Sequence, residues 1–130
     1  MIQVPSWLDE MIRRFASGLG LKDFALNAEG IAALRFENGT ALHFEYAMDF
    51  LTLTMSTPMS QDTAAVKTLL TCADPLRQGN YPLRVGALDN PLRAIFVVRL
   101  SAADVTLANL DGAMAELWRT VENFRGRLGV

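Results

Sequence analysis

The sequence predicts an α+β fold: one antiparallel twisted sheet flanked by three helices, in the order α-β-β-β-α-β-β-α, as a single domain over residues 1–130. Three observations carry this. Apolar residues recur at 3–4 spacing near both ends of the chain, from Leu8 to Leu19 and from Leu107 to Leu128. Between them, Ile31 to Ser56 alternates apolar and polar residues with period two. The βαβ alternation of a parallel, doubly wound sheet is missing.

The first helix starts at Ser6, which stands at capping-box spacing from Asp9. Leu8, Met11, Ile12, Phe15 and Leu19 form its apolar stripe, and Gly18 and Gly20 end it. Phe24 to Ala28 is a short strand candidate, followed by a turn at Glu29-Gly30. Ile31 to Phe36 is the next strand, with Ala32, Leu34 and Phe36 on one face.

The following turn decides the register. A two-residue Asn38-Gly39 turn would set Leu34 against His43, an apolar face against a polar one. A three-residue loop, Glu37-Asn38-Gly39, places Gly39 at the left-handed third position and pairs Leu34 with Leu42 and Ala32 with Phe44. Register follows the buried face, so the longer loop is preferred. Leu42, Phe44 and Tyr46 then alternate with His43 and Glu45; a break falls at Met48-Asp49; Leu51, Leu53 and Met55 make a half-buried strand that Thr57-Pro58 ends.

Ser60 caps a second helix, Gln61 to about Ala73, with Ala65, Val66, Leu69, Leu70 and Ala73 on its apolar face and Asp74-Pro75 as its stop. Leu76 to Pro82 reads as a loop and Leu83 to Leu88 as a weak strand. After a turn at Asp89-Asn90-Pro91, Leu92 to Leu100 is a strong strand, apolar on both faces at Ile95 to Val98. Ser101 and Asp104 suggest another capping box, opening a helix from about Ala102 to Leu128. Gly112 weakens that helix by about 1 kcal/mol relative to alanine, so packing must hold it.

Composition narrows the function. The chain has 130 residues, 51% of them apolar, and a mean hydropathy of +0.19, high enough to expect some apolar surface covered by a partner. The net charge of -2 offers no basic field for nucleic acid. A basic start followed by an apolar run is absent, so no signal peptide is expected. The strongest apolar run, Ala94 to Val98, is far short of the roughly 20 residues that span a bilayer. Cys72 is the sole cysteine, which excludes an internal disulfide and fits a reducing compartment.

No set of residues for catalysis stands out. His43 is the single histidine and lies on the outward side of a strand, with no partner for a zinc site. Cys72 reads as a small hydrophobe near a helix end, and Glu37, Glu45 and Asp49 as solvated carboxylates. Gly18, Gly20, Gly79 and Gly86 match no phosphate-loop pattern. No metal or cofactor is implied.

Taken together, the layout resembles the class I type III secretion chaperones, the small acidic effector chaperones of Gram-negative bacteria. The likeness runs through the helix Trp7 to Leu19, the strands Gly30 to Phe36 and Leu42 to Glu45, and Leu51-Thr52-Leu53. It continues through Leu69-Leu70-Thr71-Cys72-Ala73-Asp74, the Leu92 to Leu100 strand, and a long last helix holding Leu117-Trp118. Such a resemblance implies a cytoplasmic homodimer without enzymatic activity. It binds the N-terminal region of a secreted effector and keeps it extended and secretion-competent.

On this chain, the resemblance puts the effector groove at Leu8, Ile12 and Phe15 with Leu34, Leu42, Phe44 and Leu53. It puts the dimer contact at Val66 and Leu70 with Val85, Phe96 and Val98. Each groove residue also sits at the spacing of ordinary core. If the first helix covers the sheet's apolar face, the effector must use another surface. The alternative function is a small protein-binding or regulatory domain of similar fold outside secretion.

Overall fold

The Glu37-Asn38-Gly39 loop sets the register of the whole sheet. In the computed structural model, which describes residues 4–72 and 81–128, strand β1 (Ile31–Arg35) pairs antiparallel with β2 (Ala41–Ala47). Leu34 faces Leu42 and Ala32 faces Phe44, the register that the buried-face argument selects. Phe36 donates its amide to Thr40 across the loop, and Gly39 takes the left-handed conformation at φ +87°. The Asn38 side chain accepts from the Thr40 amide.

A two-residue turn leads from β2 to β3 (Phe50–Pro58), with Met48 and Asp49 both at positive φ. Helix α2 (Thr63–Cys72) follows, and then the outer hairpin of β4 (Leu83–Leu88) and β5 (Arg93–Ser101). The chain re-enters the sheet by placing β5 beside β3, so the five strands lie in the order β1-β2-β3-β5-β4, all antiparallel. Helix α1 (Ser6–Gly18) and helix α3 (Leu107–Leu128) close the two ends of the chain.

The period-two pattern gives the sheet two unlike faces. Leu42, Phe44, Leu51, Leu53, Met55, Phe96 and Val98 point to the helices and are fully buried. Phe15 of α1 stacks on Phe44 at 5.7 Å between ring centroids, and Phe124 of α3 meets Phe96 edge-on at 5.6 Å. Each such pair contributes about 0.5–1.5 kcal/mol beyond its burial. Helix α2 packs on α3 and β4 through Ala65 and Leu69. Among the described residues, the opposite face of the sheet carries no helix and stays partly wet.

Several element boundaries differ from the sequence reading, each for a local reason. Ser6 is the first helical residue, not a cap; Pro5 precedes it, and Asp9 pairs with Arg13 instead. Phe24 to Ala28 is not a strand. The Asn27 side chain accepts from the amides of Glu29 and Ile31, forming a turn, while Phe24 is buried edge-on to Phe44. Strand β3 extends through Thr57 and Pro58, which pair with Ala94 and Arg93.

Asp62, rather than Ser60, caps α2. Its carboxylate accepts from the Ala65 amide at 2.8 Å and from the Ser60 hydroxyl at 2.8 Å. The Ser101 hydroxyl donates to Asp104, but over a 3₁₀ turn at Ala102–Asp104. The α-helix begins five residues later than the sequence suggests, where the Thr106 hydroxyl accepts from the Asn109 amide. The predicted helix end at Ala73, the stop at Asp74-Pro75 and most of the Leu76 to Pro82 loop lie outside the described residues.

Gly112 has a packing role. The Tyr81 ring lies against the helix there, and its hydroxyl donates to the Asn109 side chain at 2.9 Å. The Asn109 amide group in turn donates to the Asp104 carbonyl. This chain of bonds ties the approach to β4 to the start of α3.

Candidate functional site

The residues predicted to line an effector groove do come together, but inside the protomer. Leu8 and Ile12 of α1 join Leu42, Phe44 and Leu53 in one core cluster, and all five are fully buried. Helices α1 and α3 together close over the sheet's apolar face, so these five side chains are core within the protomer. Phe15 is also buried, and Leu34, on the outermost strand, is half-buried.

The predicted dimer contact divides the same way. Phe96 and Val98 are buried beneath the protomer's own helices. Val85 is half-buried, while Val66 and Leu70 stand out from α2 at 43% and 64% exposure.

The surface left open lies at the far end of α1. There Phe15, Leu19 and Leu21 face Phe36 and the α3 residues Met114, Ala115 and Trp118 across a groove of about 490 Å³. Its walls are almost wholly apolar, and Asp111 at the rim is its single charged residue. Phe36 and Trp118 meet edge-to-face at 5.2 Å along one wall.

Helix-ending chemistry builds the other wall. Gly20 adopts φ +73°, which lets its amide return to the Ser17 carbonyl and the Leu21 amide to the Ala16 carbonyl. This is the Schellman arrangement, and it swings Leu21 back beside Leu19. Leu19 is left 47% exposed.

An unpaired sheet edge runs beside the groove. Gly30 and Phe36 bond main chain to main chain with β2, so alternation turns the groups of Ala33 and Arg35 outward. At Ile31 the outward amide and carbonyl are already taken by Asn27. A strand laid along β1 would therefore find main-chain partners at Ala33 and Arg35. Alternate side chains of that strand would point to the helix side, toward the groove.

Of the groove residues, Leu19 and Phe36 were visible in the sequence as ends of apolar patterns, and Trp118 as part of the Leu117-Trp118 pair in the last helix. Leu21, Met114 and Ala115 were not singled out as site residues. The signal for Leu21 was a large apolar side chain just past the glycine that ends the first helix, and that for Met114 its place in the 3–4 apolar spacing of the last helix. His43 lies on the outward face, opposite Ala33 and Thr54, and is half-buried. Among the described residues, no group of three His, Cys, Asp or Glu side chains is placed to hold a metal. Among the same residues, no helix is long and apolar enough to cross a membrane.

A family model described as type III secretory system chaperone SycN matches residues 7–124. The chain belongs to this family. Its role is that of a chaperone.

Solved structures agree on the fold. In the ExsC-ExsE complex, a chain 20% identical superposes with a TM-score of 0.77, covering 98% of this chain and 96% of that one. A chain of the HopA1-SchA chaperone-effector complex is 18% identical, with a TM-score of 0.70 and coverages of 95% and 94%. The Yersinia pestis type III secretion chaperone SycH, in complex with a fragment of YscM2, gives 18% and 0.61 over 88% and 97%. No curated protein sequence matches the chain.

Proposed function

We propose that this chaperone binds the N-terminal region of a type III secreted effector and keeps that segment extended and secretion-competent. The observation that carries the reading is the open apolar groove beside an unpaired strand edge. Leu19, Leu21, Phe36, Met114 and Trp118 line it and remain partly wet in the isolated protomer. An extended client segment adds to β1 by main-chain bonds at Ala33 and Arg35 and buries alternate apolar side chains in the groove. Phe15 and Leu34, from the sequence-predicted set, border this seat.

The protein acts in the cytoplasm, as a homodimer, without catalytic turnover. Its dimer contact centres on Val66 and Leu70 of α2, both exposed, with half-buried Val85 of β4, the strand that α2 packs on. Proteins of the same fold are solved as complexes, one of them the HopA1-SchA chaperone-effector complex, which supports the client assignment.

The test is co-expression with the N-terminal segment of a secreted protein from the same genome, followed by co-purification. Native protein retains the segment. Leu19→Asp with Met114→Asp releases it while leaving the circular dichroism spectrum unchanged. Retention by that variant would reject the groove as the client seat.

A further inference from the structure

The sheet face turned away from the helices has a charge of its own. Arg35, Arg84, Arg93 and Arg99 all stand on it, against one carboxylate, Glu45, in a chain whose net charge is -2. Arg93 is committed to the fold. It donates to the Gly39 carbonyl and to the hydroxyl and carbonyl of Ser56, and burial, then the Arg35 charge, lowers its pKa. Arg35, Arg84 and Arg99 are exposed, and none forms an ion pair among the described residues.

Two of these arginines frame a recess. Arg84 sits opposite Val97, and Arg99 follows Val97 by two residues on the same face. Together with Thr52 and Pro82 they line a pocket of about 360 Å³. The Arg99 guanidinium lies over the Phe50 ring at 3.9 Å, which holds it at the surface with its donor edges clear. Diagonal neighbours on paired strands are about 7–8 Å apart. Same-side residues of an extended peptide are about 7 Å apart. Two carboxylates at alternate positions therefore match two guanidiniums at this spacing, and each fork accepts a carboxylate with two bonds.

We infer that this face is a second docking surface, where Arg84 and Arg99 take an extended acidic segment of a partner polypeptide carrying carboxylates at alternate positions. It lies on the opposite side of the sheet from the apolar groove, so it does not depend on the groove being the client seat.

The test uses a fluorescein-labelled peptide of five Asp-Thr repeats, its Asn-Thr counterpart, a 20-nucleotide single-stranded DNA, and vesicles of phosphatidylserine and phosphatidylcholine. Fluorescence anisotropy is expected to show salt-sensitive binding of the Asp-Thr peptide and none of the Asn-Thr peptide. Arg84→Glu with Arg99→Glu weakens that binding about tenfold or more. Arg14→Glu with Arg127→Glu, the same charge change elsewhere, leaves it within twofold, as does Leu19→Asp.

The inference is overturned if the Asp-Thr peptide fails to bind, or binds the Arg84/Arg99 variant equally well. Tighter binding of the DNA or the vesicles than of the peptide also overturns it. So does a changed oligomeric state in the Arg84/Arg99 variant, since the face would then belong to a contact between copies.

Discussion

Replacing Gly112 by alanine sets two known effects against each other. In an exposed helix the change stabilises by about 1 kcal/mol. Here a Cβ would lie 2.5 Å from the Tyr81 hydroxyl oxygen and 2.6 Å and 2.8 Å from two ring carbons. Ordinary carbon contacts need about 3.5–4.0 Å, so the ring must retreat by roughly 1 Å. Overpacking of this kind costs about 1–3 kcal/mol. The retreat also strains the 2.9 Å bond from Tyr81 to Asn109, worth about 1 kcal/mol. The net expectation for Gly112→Ala is a loss of about 1–3 kcal/mol. For a domain of this length that is roughly 4–12 °C in Tm.

Thermal and urea unfolding at fixed protomer concentration would measure it, because association shifts apparent stability. Tyr81→Ala removes the obstacle, and in that background Gly112→Ala should gain about 1 kcal/mol. The two changes then couple by about 2–4 kcal/mol. A higher Tm for Gly112→Ala with Tyr81 in place would refute the argument.

Further outcomes separate core from site. Leu8→Ala, at a fully buried position, should cost about 2–5 kcal/mol in urea unfolding. Trp118→Ala should weaken client capture by about 2 kcal/mol, roughly thirtyfold, in a titration with a client peptide, with the sheet intact by circular dichroism. The Ala65 amide, then the Ser60 hydroxyl, hold the Asp62 carboxyl below its ordinary value. Its support of α2 is thus present above the unfolded carboxylate pKa of about 3.9 and is lost as pH falls through the lower folded value. Amide exchange of α2 should show this acid sensitivity, and Asp62→Asn, which keeps an acceptor, should not.

At the alkaline end, burial and then Asp49 raise the Tyr46 phenol. The contribution of that raised pKa is complete below pH of about 10 and fades as pH rises through the folded value. Tyr46→Phe should therefore flatten the alkaline arm of a Tm-against-pH curve.

The hairpin was legible to the residue because a one-residue slip would have turned Leu34 onto a polar neighbour. Strand β5 was legible from its run of apolar residues on both faces at Ile95 to Val98, and β4, a weaker pattern, from the Asp89-Asn90-Pro91 turn that separates the two. The helix starts were less so. A serine three residues before an aspartate reads alike whether it opens an α-helix or, as at Ser101, closes a 3₁₀ turn before Thr106 takes over the cap. Periodicity marks which side of Leu8, Ile12 and Leu53 is apolar, but it cannot tell how much of that side another helix covers. That depends on where α1 ends against α3, a distance of about 100 residues along the chain. The groove therefore lay hidden in the pattern, although Leu19 and Trp118 belonged to it.

The outward edge of β1 has a consequence for self-association. An exposed strand edge invites a second copy to pair with it and then a third, the route to sheet fibres. Here Asn27 occupies Ile31 at one end and the hairpin loop closes the other, so just Ala33 and Arg35 offer main-chain groups. Two residues, one of them charged, are too short a template to hold two copies without added affinity. A partner that also fills the neighbouring groove supplies it. The same edge therefore admits a guest with the right apolar side chains and resists polymerisation of the host.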